Sequence, residues 1–224
     1  MTSQQFSDAT KIVVVGTGGP ETIDVSGSSY TRGLEINAFA GNDLIYGTQY
    51  GDTIYGGNGA DTLYGDGLDL ETGNVNASAT DTFAFLAGQS QTTANNYDHL
   101  IGFTLGGSAY QDILDLVGSP SIVADATHVQ YGSSNIYYDV SGGVVGNLKD
   151  GAGNSVTLAS VSEWVALVDV AVGSGQSGGF VYGNNTYIFQ DNDGGTNNLL
   201  ISLDGVQASG ITAGSGVANT VKIA

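Results

Sequence analysis

Residues 38–64 read AFAGNDLIY, GTQYGDTIY and GGNGADTLY when the chain is cut every nine residues, at Ala38, Gly47 and Gly56. In that frame Asp43, Asp52 and Asp61 recur nine apart, as do Ile36, Ile45, Ile54 and Leu63, and as do Tyr46, Tyr55 and Tyr64. Self-similarity at a fixed short period marks a repeat architecture. The third unit fits G-G-x-G-x-D-x-U-x, with U a large apolar residue, at every position. The second keeps its first Gly, the Asp and the apolar residue, and the first keeps Gly41, Asp43 and Ile45. Gly16–Asp24 (GTGGPETID) reads as a worn copy with Glu21 in the acidic place. After Tyr64 the pattern decays through Gly65-Asp66-Gly67-Leu68-Asp69.

The residue types dictate the geometry. Six residues rich in Gly and Asn and ending in Asp favour a tight turn, and three residues centred on Ile or Leu make a short strand. Strand alternation turns the central apolar side chain inward and its neighbours outward. Two units complete one coil of a parallel solenoid, so residues 18 apart stack, with Asp43 and Asp61 on one side and Asp52 on the other. Carboxylates stacked one strand spacing apart repel unless a cation lies between them, and the short Asp side chain suits a hard-cation shell. Metal-free Gly/Asp turns are the plain alternative.

These units resemble the RTX (repeats-in-toxin) family of calcium-binding proteins, whose nonapeptide forms a β-roll. The resemblance implies Ca2+ between successive turns, held by Asp carboxylates and by backbone carbonyls of the Gly-rich turns. Carried over by position, the ligands would be Asp43, Asp52 and Asp61, with backbone from Gly41, Gly56, Asn58 and Gly59. Asp66 and Asp69 would close the last turn, although both depart from the template. Downstream, Asp81–Phe85, Asp98–Phe103 and Asp112–Leu116 look like the segment that caps the roll in many RTX proteins, serralysin-type proteases among them. Residues 179–193 and 199–206 are similar to C-terminal regions of RTX surface and S-layer-like proteins. In the family, an uncleaved C-terminus is what the type I secretion machinery reads. The ending Val221-Lys222-Ile223-Ala224 departs from the acidic-hydrophobic tail of the proteases.

Composition narrows the function classes. The chain has 224 residues and a formal charge of -18, from 22 Asp and Glu against 4 Lys and Arg. Clustered basic residues are what phosphate and anionic lipid demand, so nucleic acid and electrostatic membrane docking are excluded as partners. With 41% hydrophobic residues, 12 Tyr and 7 Phe, a core can be filled. Zero Cys removes disulfides and thiolate metal sites. No basic n-region opens the chain, Ile12–Val15 is too short for a signal-peptide core, and no stretch reaches the length of a membrane span.

Several motifs fail on context. Lys11–Gly19 (KIVVVGTGG) begins like a dinucleotide fold but runs into Pro20-Glu21 and a strand-like TIDV, not a helix. Gly173–Gly179 (GSGQSGG) matches G-x-S-x-G, yet a strand follows it, and it reads as a flexible Gly/Ser loop. Two histidines, His99 and His128, cannot make H-E-x-x-H. Asp191-Asn192-Asp193-Gly194 starts like an EF-hand but has Gly195 at position 5 and Ser202 at position 12, and reads as a hairpin turn, with a weak extra calcium site as the alternative. Asp81 and Asp98 read as caps or turns. Strands are expected at 129–140, 144–148, 155–158, 180–189 and 199–203, and one helix at Ser162–Val170, capped by Ser162 and burying Trp164, Leu167 and Val168.

The expected fold is all-β: a short parallel β-roll followed by a β-rich C-terminal lobe with one short helix. The expected units are residues 1–75, N-terminal strands and roll, and 76–224, a capping and secretion or assembly lobe. No motif supports catalysis. The expected function is a secreted calcium-binding structural protein at the bacterial cell surface, folding on extracellular calcium and self-assembling into a layer or filament. Its partners would be copies of itself, the type I secretion machinery and a cell-surface glycan. The alternatives are an export and folding module of a larger toxin, adhesin or enzyme, and a secreted haem- or sugar-binding protein.

Overall fold

Each D-x-apolar triplet becomes one short strand, because the flanking turns leave only three residues for extended backbone. In the computed structural model, residues 12–67, 79–86, 89, 96–106, 109–116, 118, 121–192, 198–214 and 220–224 are described. The first nine strands are β1 (Val13–Val15), β2 (Thr22–Asp24), β3 (Glu35–Asn37), β4 (Leu44–Tyr46), β5 (Thr53–Tyr55), β6 (Thr62–Tyr64), β7 (Thr82–Ala84), β8 (Asp98–Ile101) and β9 (Ile113–Asp115). Odd-numbered strands stack in parallel in one sheet and even-numbered strands in the other. In the repeat the register is 18 residues, with Glu35 opposite Thr53 and Leu44 opposite Thr62. β7 adds to β5, β8 to β6 and β9 to β7, so the parallel ladder runs past residue 75.

Two ladders facing each other at this spacing enclose a single file of apolar side chains. Ile36, Ile45, Ile54, Leu63, Leu100 and Leu114 are all fully buried. Each such side chain contributes roughly 1.5–3 kcal/mol by leaving water. Their strand neighbours are half-buried, as alternation requires. Among the described residues β1 and β2 are the edge strands at the roll end of the two sheets, and their central residues Val14 and Ile23 are only partly covered.

The remaining elements are β10 (Ser121–Ile122), β11 (Ala126–Gln130), β12 (Ile136–Ser141), β13 (Val144–Asp150), helix α1 (Val161–Ala171), β14 (Gln176–Tyr182), β15 (Asn185–Gln190), β16 (Leu199–Asp204), β17 (Ile211–Ala213) and β18 (Thr220–Ile223). They extend the same two sheets. β16 pairs in parallel with β8, and β18 pairs antiparallel with β9. A second core forms under α1, where Trp164 stacks on Phe180 at 5.3 Å between ring centroids and Phe180 on Tyr187 at 4.8 Å. The chain is therefore all-β with one short helix, a roll continued by a β-rich lobe.

Several local expectations change. Residues 129–140 are not one strand but the β11–β12 hairpin, turned where Gly132 takes φ 54°. Residues 180–189 likewise split at Gly183, φ 63°, into β14 and β15. Residues 155–158 form no strand, only a single bridge from Ser155 to Lys149. The helix cap is Ser160, not Ser162: its hydroxyl accepts from the Glu163 amide, and the Glu163 carboxylate accepts from the Ala159 amide. Trp164, Leu167 and Val168 are buried as the helical spacing requires.

The Gly/Ser loop expected at 173–179 is half strand. Ser177 is fully buried in β14 opposite Gln190. The glycines there serve close packing, since a Cβ on Gly179 would meet the Tyr187 carbonyl oxygen at 2.6 Å. The EF-hand-like start reaches Asp193, which lies outside the described residues.

Candidate metal centre

The alternation of strands gives the roll two long edges, each a stack of turns. One edge holds the turns 16–21, 38–43 and 56–61 and, further on, Asp98. The other holds 25–34, 47–52, Asp81 and Asp112. Apart from 25–34, which ends at Leu34, each of these places an acidic residue just before a strand or at its first position.

On both edges these acids form a hydrogen-bonded ladder. On the first, Asp43 Oδ1 accepts from the Glu21 amide, Asp61 Oδ1 from the Asp43 amide and Asp98 Oδ1 from the Asp61 amide, each at 2.8 Å. On the second, Asp52 Oδ1 accepts from the Leu34 amide at 2.6 Å, Asp81 Oδ1 from Asp52 at 2.7 Å and Asp112 Oδ1 from Asp81 at 2.9 Å. The acids are buried, from 0 to 2% exposed. One oxygen of each carboxylate thus ties its coil to the one before.

The other oxygen distinguishes them. Oδ2 of Asp43, Asp61 and Asp81 is buried and has no hydrogen-bond partner. Buried unsatisfied polar atoms are uncommon in native proteins and ask for an ion, a water or a strain role. Gly56 presents its bare Cα to Asp61 Oδ2, where a Cβ would lie at 2.3 Å, and Gly65 does the same for Asp81 at 2.3 Å. The turns stack closely, with the Asn58 amide bonded to the Phe39 carbonyl and the Gly41 amide to the Asn58 carbonyl, both at 2.8 Å. Open carboxylate oxygens beside backbone carbonyls are an all-oxygen donor set, which fits a hard cation such as Ca2+. Among the described residues no three acidic or histidine side chains converge, so backbone oxygens would have to complete the shell.

Of the sequence candidates, Asp43, Asp61, Gly41, Gly56, Asn58 and Gly59 lie together on the first edge. Asp52 stands on the second, as does Asp66, which is buried in the turn after β6. Asp69 lies outside the described residues. Asp81, Asp98 and Asp112, which sequence reading missed as ladder members, are found by a shorter signal: DTF, DHL and DIL repeat the D-x-apolar end of the nonapeptide. Their spacings of 20, 17 and 14 residues from Asp61, Asp81 and Asp98 hide it.

Burial raises these carboxyls. Loss of water pushes Asp61 up to about 6, against the bond from the Asp43 amide. It pushes Asp112 up to about 6. Burial raises Asp81 to about 9, with the charges of Asp112, Asp66 and Asp52 adding to the shift. Asp43 and Asp52 are raised for the same first reason. An acid whose pKa rises on folding favours the folded state when protonated. Without metal, that contribution is fully present below about pH 4, the unfolded value. It fades as pH rises through about 6 for Asp61 and Asp112 and about 9 for Asp81. In chelator, far-ultraviolet dichroism should therefore gain strand signal on moving from neutral pH to pH ~5. Loss of signal over that range would contradict the ladder.

Fold and site together define a calcium-binding β-roll. The RTX calcium-binding nonapeptide repeat model matches residues 37–69 in four copies, so that segment carries RTX calcium-binding repeats. In a solution structure, the AlgE6R2 subunit of the Azotobacter vinelandii mannuronan C5-epimerase is similar, at 20% identity and a TM-score of 0.40, over 90% of this chain and 88% of that one. The AlgE6R3 subunit of the same enzyme is similar at 19% identity and a TM-score of 0.32, over 59% of this chain and 67% of that one. No curated protein matches the chain significantly.

Proposed function

We propose that the chain is a calcium-triggered folding module of a protein exported by type I secretion. The observation that carries this reading is the set of three buried, unpartnered carboxylate oxygens in the roll, on Asp43, Asp61 and Asp81. Where free calcium is scarce, the charge of -18 and these buried acids oppose compaction, and a secretion channel can pass the extended chain. Outside, calcium near millimolar matches the ~10⁻⁴–10⁻³ M dissociation constants of extracellular modules. Folding is then completed at the destination. No described helix is long and apolar enough to cross a membrane.

Self-assembly into a surface layer or filament is the second reading. It is favoured by β1, an edge strand among the described residues, where Val13 and Val15 are 47% and 59% exposed and no Lys or Pro interrupts the strand. An unguarded edge of that kind is a template for another chain. Sedimentation velocity before and after adding millimolar calcium separates the two. A slow, expanded monomer that becomes a compact monomer supports the module, and uniform large assemblies support the layer. A sedimentation coefficient indifferent to calcium overturns both.

A further inference from the structure

We propose that Asp66 and Asp81 form a calcium site on the second edge of the roll that the nonapeptide template does not encode. This rests on the calcium-binding reading of the roll and adds a ligand pair to it.

The glycines align the turns. Gly47, Gly56 and Gly65 are nine apart and open successive units. A Cβ on each would meet one acid: Asp52 Oδ2 at 2.6 Å, Asp61 Oδ2 at 2.3 Å and Asp81 Oδ2 at 2.3 Å. Asp81 therefore closes the unit that Gly65 opens, in the place where the period puts Leu70.

The residue at the second position of each unit sets what the open oxygen meets. These residues are Thr48, Gly57 and Asp66. The Thr48 amide donates to Asp52 Oδ2 at 2.6 Å, and its hydroxyl lies 3.1 Å from both oxygens. Gly57 has no side chain to offer, and Asp61 Oδ2 stays open. Asp66 instead brings a second carboxylate into the turn. It is 2% exposed and Asp81 is 0% exposed, and after burial its charge is among those that raise Asp81. Asp81 Oδ2 has no partner and faces this turn at Gly65.

Two buried carboxylates at one turn repel unless a cation lies between them. The ladder neighbours of Asp81 have less to give, because the second oxygens of Asp52 and Asp112 already accept from the Thr48 and Thr104 amides. Backbone oxygen is close at hand. The Gly67 amide bonds the Thr48 carbonyl at 3.0 Å, and a Cβ on Gly67 would lie 3.1 Å from the Gly47 carbonyl oxygen. Carboxylates completed by carbonyls and water are the shell that Ca2+ takes. The template has Gly where Asp66 stands, so the pair exists only because this unit departs from the repeat.

The test is calorimetric calcium titration of the full chain and its variants, each checked by dichroism for folding in saturating calcium. Asp66→Asn and Asp81→Asn should each bind one calcium ion fewer than wild type. Asp81→Asn keeps the oxygen that accepts from the Asp52 amide, and if it does not fold the Asp66 variants decide. Asp66→Thr copies the arrangement at Thr48. It should lose the same ion and yet keep more strand signal in chelator than wild type, because a hydroxyl replaces a repelling charge. Asp61→Asn should lose a different ion, so that its loss adds to that of Asp66→Thr. Full calcium stoichiometry in the Asp66 variants overturns the site, and so does an Asp66→Thr chain less stable than wild type both with and without calcium. Wild-type chain that takes up no calcium refutes the calcium reading itself, a separate result.

Discussion

Chelating calcium should open the roll while leaving much of the C-terminal lobe folded. The ladder amides of Asp43, Asp52, Asp61 and Asp81 should lose their hydrogen-exchange protection in excess chelator, and those of β14–β16 should keep more of theirs. Each of the three open oxygens, on Asp43, Asp61 and Asp81, costs about 1–3 kcal/mol if left unmet, and more while charged. Together they are comparable with the ~5–15 kcal/mol that is the whole stability of an ordinary domain. The roll has little to set against this, because its core is a single file of Ile, Leu and Phe and its strands are three or four residues long. The lobe has its own core around Trp164, Leu167, Phe180 and Phe189, closed by antiparallel pairs of five and six residues. Small-angle scattering should show the radius of gyration rising well above the ~17 Å expected of a compact chain of this length. Ladder amides that remain protected in chelator would show that the carboxylates are satisfied without metal.

Replacing Gly59 by Ala should unfold the roll more severely than any exposed substitution. Gly59 has φ +142°, a conformation that L side chains rarely adopt, and an added Cβ would sit 1.7 Å from the Gly41 carbonyl oxygen. That contact is backbone on backbone, so no rotamer change relieves it. The turn 56–61 would have to lift off the turn 38–43, breaking the Asn58–Phe39 and Gly41–Asn58 bonds. A loss of at least about 3 kcal/mol is expected, in the range reserved for strain and disrupted packing. Gly183→Ala is the matched control: φ is +63° and nothing lies within 4 Å of the added atom, so about 1–2 kcal/mol is expected. Urea melts in saturating calcium measure both. Equal losses would mean that the turns are not packed as tightly as the stack requires.

The repeat was legible because it is local. A nine-residue period determines where the chain turns, which side chain faces inward and which residues share an edge, without reference to the rest of the molecule. The roll's continuation was harder to read. Asp81, Asp98 and Asp112 sit in the same ladder as Asp52 and Asp61, but insertions between them remove the period while leaving D-x-apolar intact. The two hairpins read as single long strands because their turns are short, marked only by Gly132-Ser133-Ser134-Asn135 and Gly183-Asn184 between apolar and β-branched runs. Ser177 looked like loop for the opposite reason: its glycine neighbours are there for space, and only the partner strand reveals it.

Composition and periodicity alone therefore determined an acidic, cysteine-free, coiled stack of short strands with carboxylates on two edges. Tertiary structure decided which of those carboxylates still have an oxygen to give. That depends on what each second oxygen meets across a turn: Thr48 beside Asp52, Thr104 beside Asp112, and bare glycine beside Asp61. It also decided that the lobe is welded to the roll through β8–β16 and β9–β18. Partners more than 100 residues apart, such as His99 and Ser202, have no common spacing to announce them, because the free energy that joins them comes from burying the two sheets against each other.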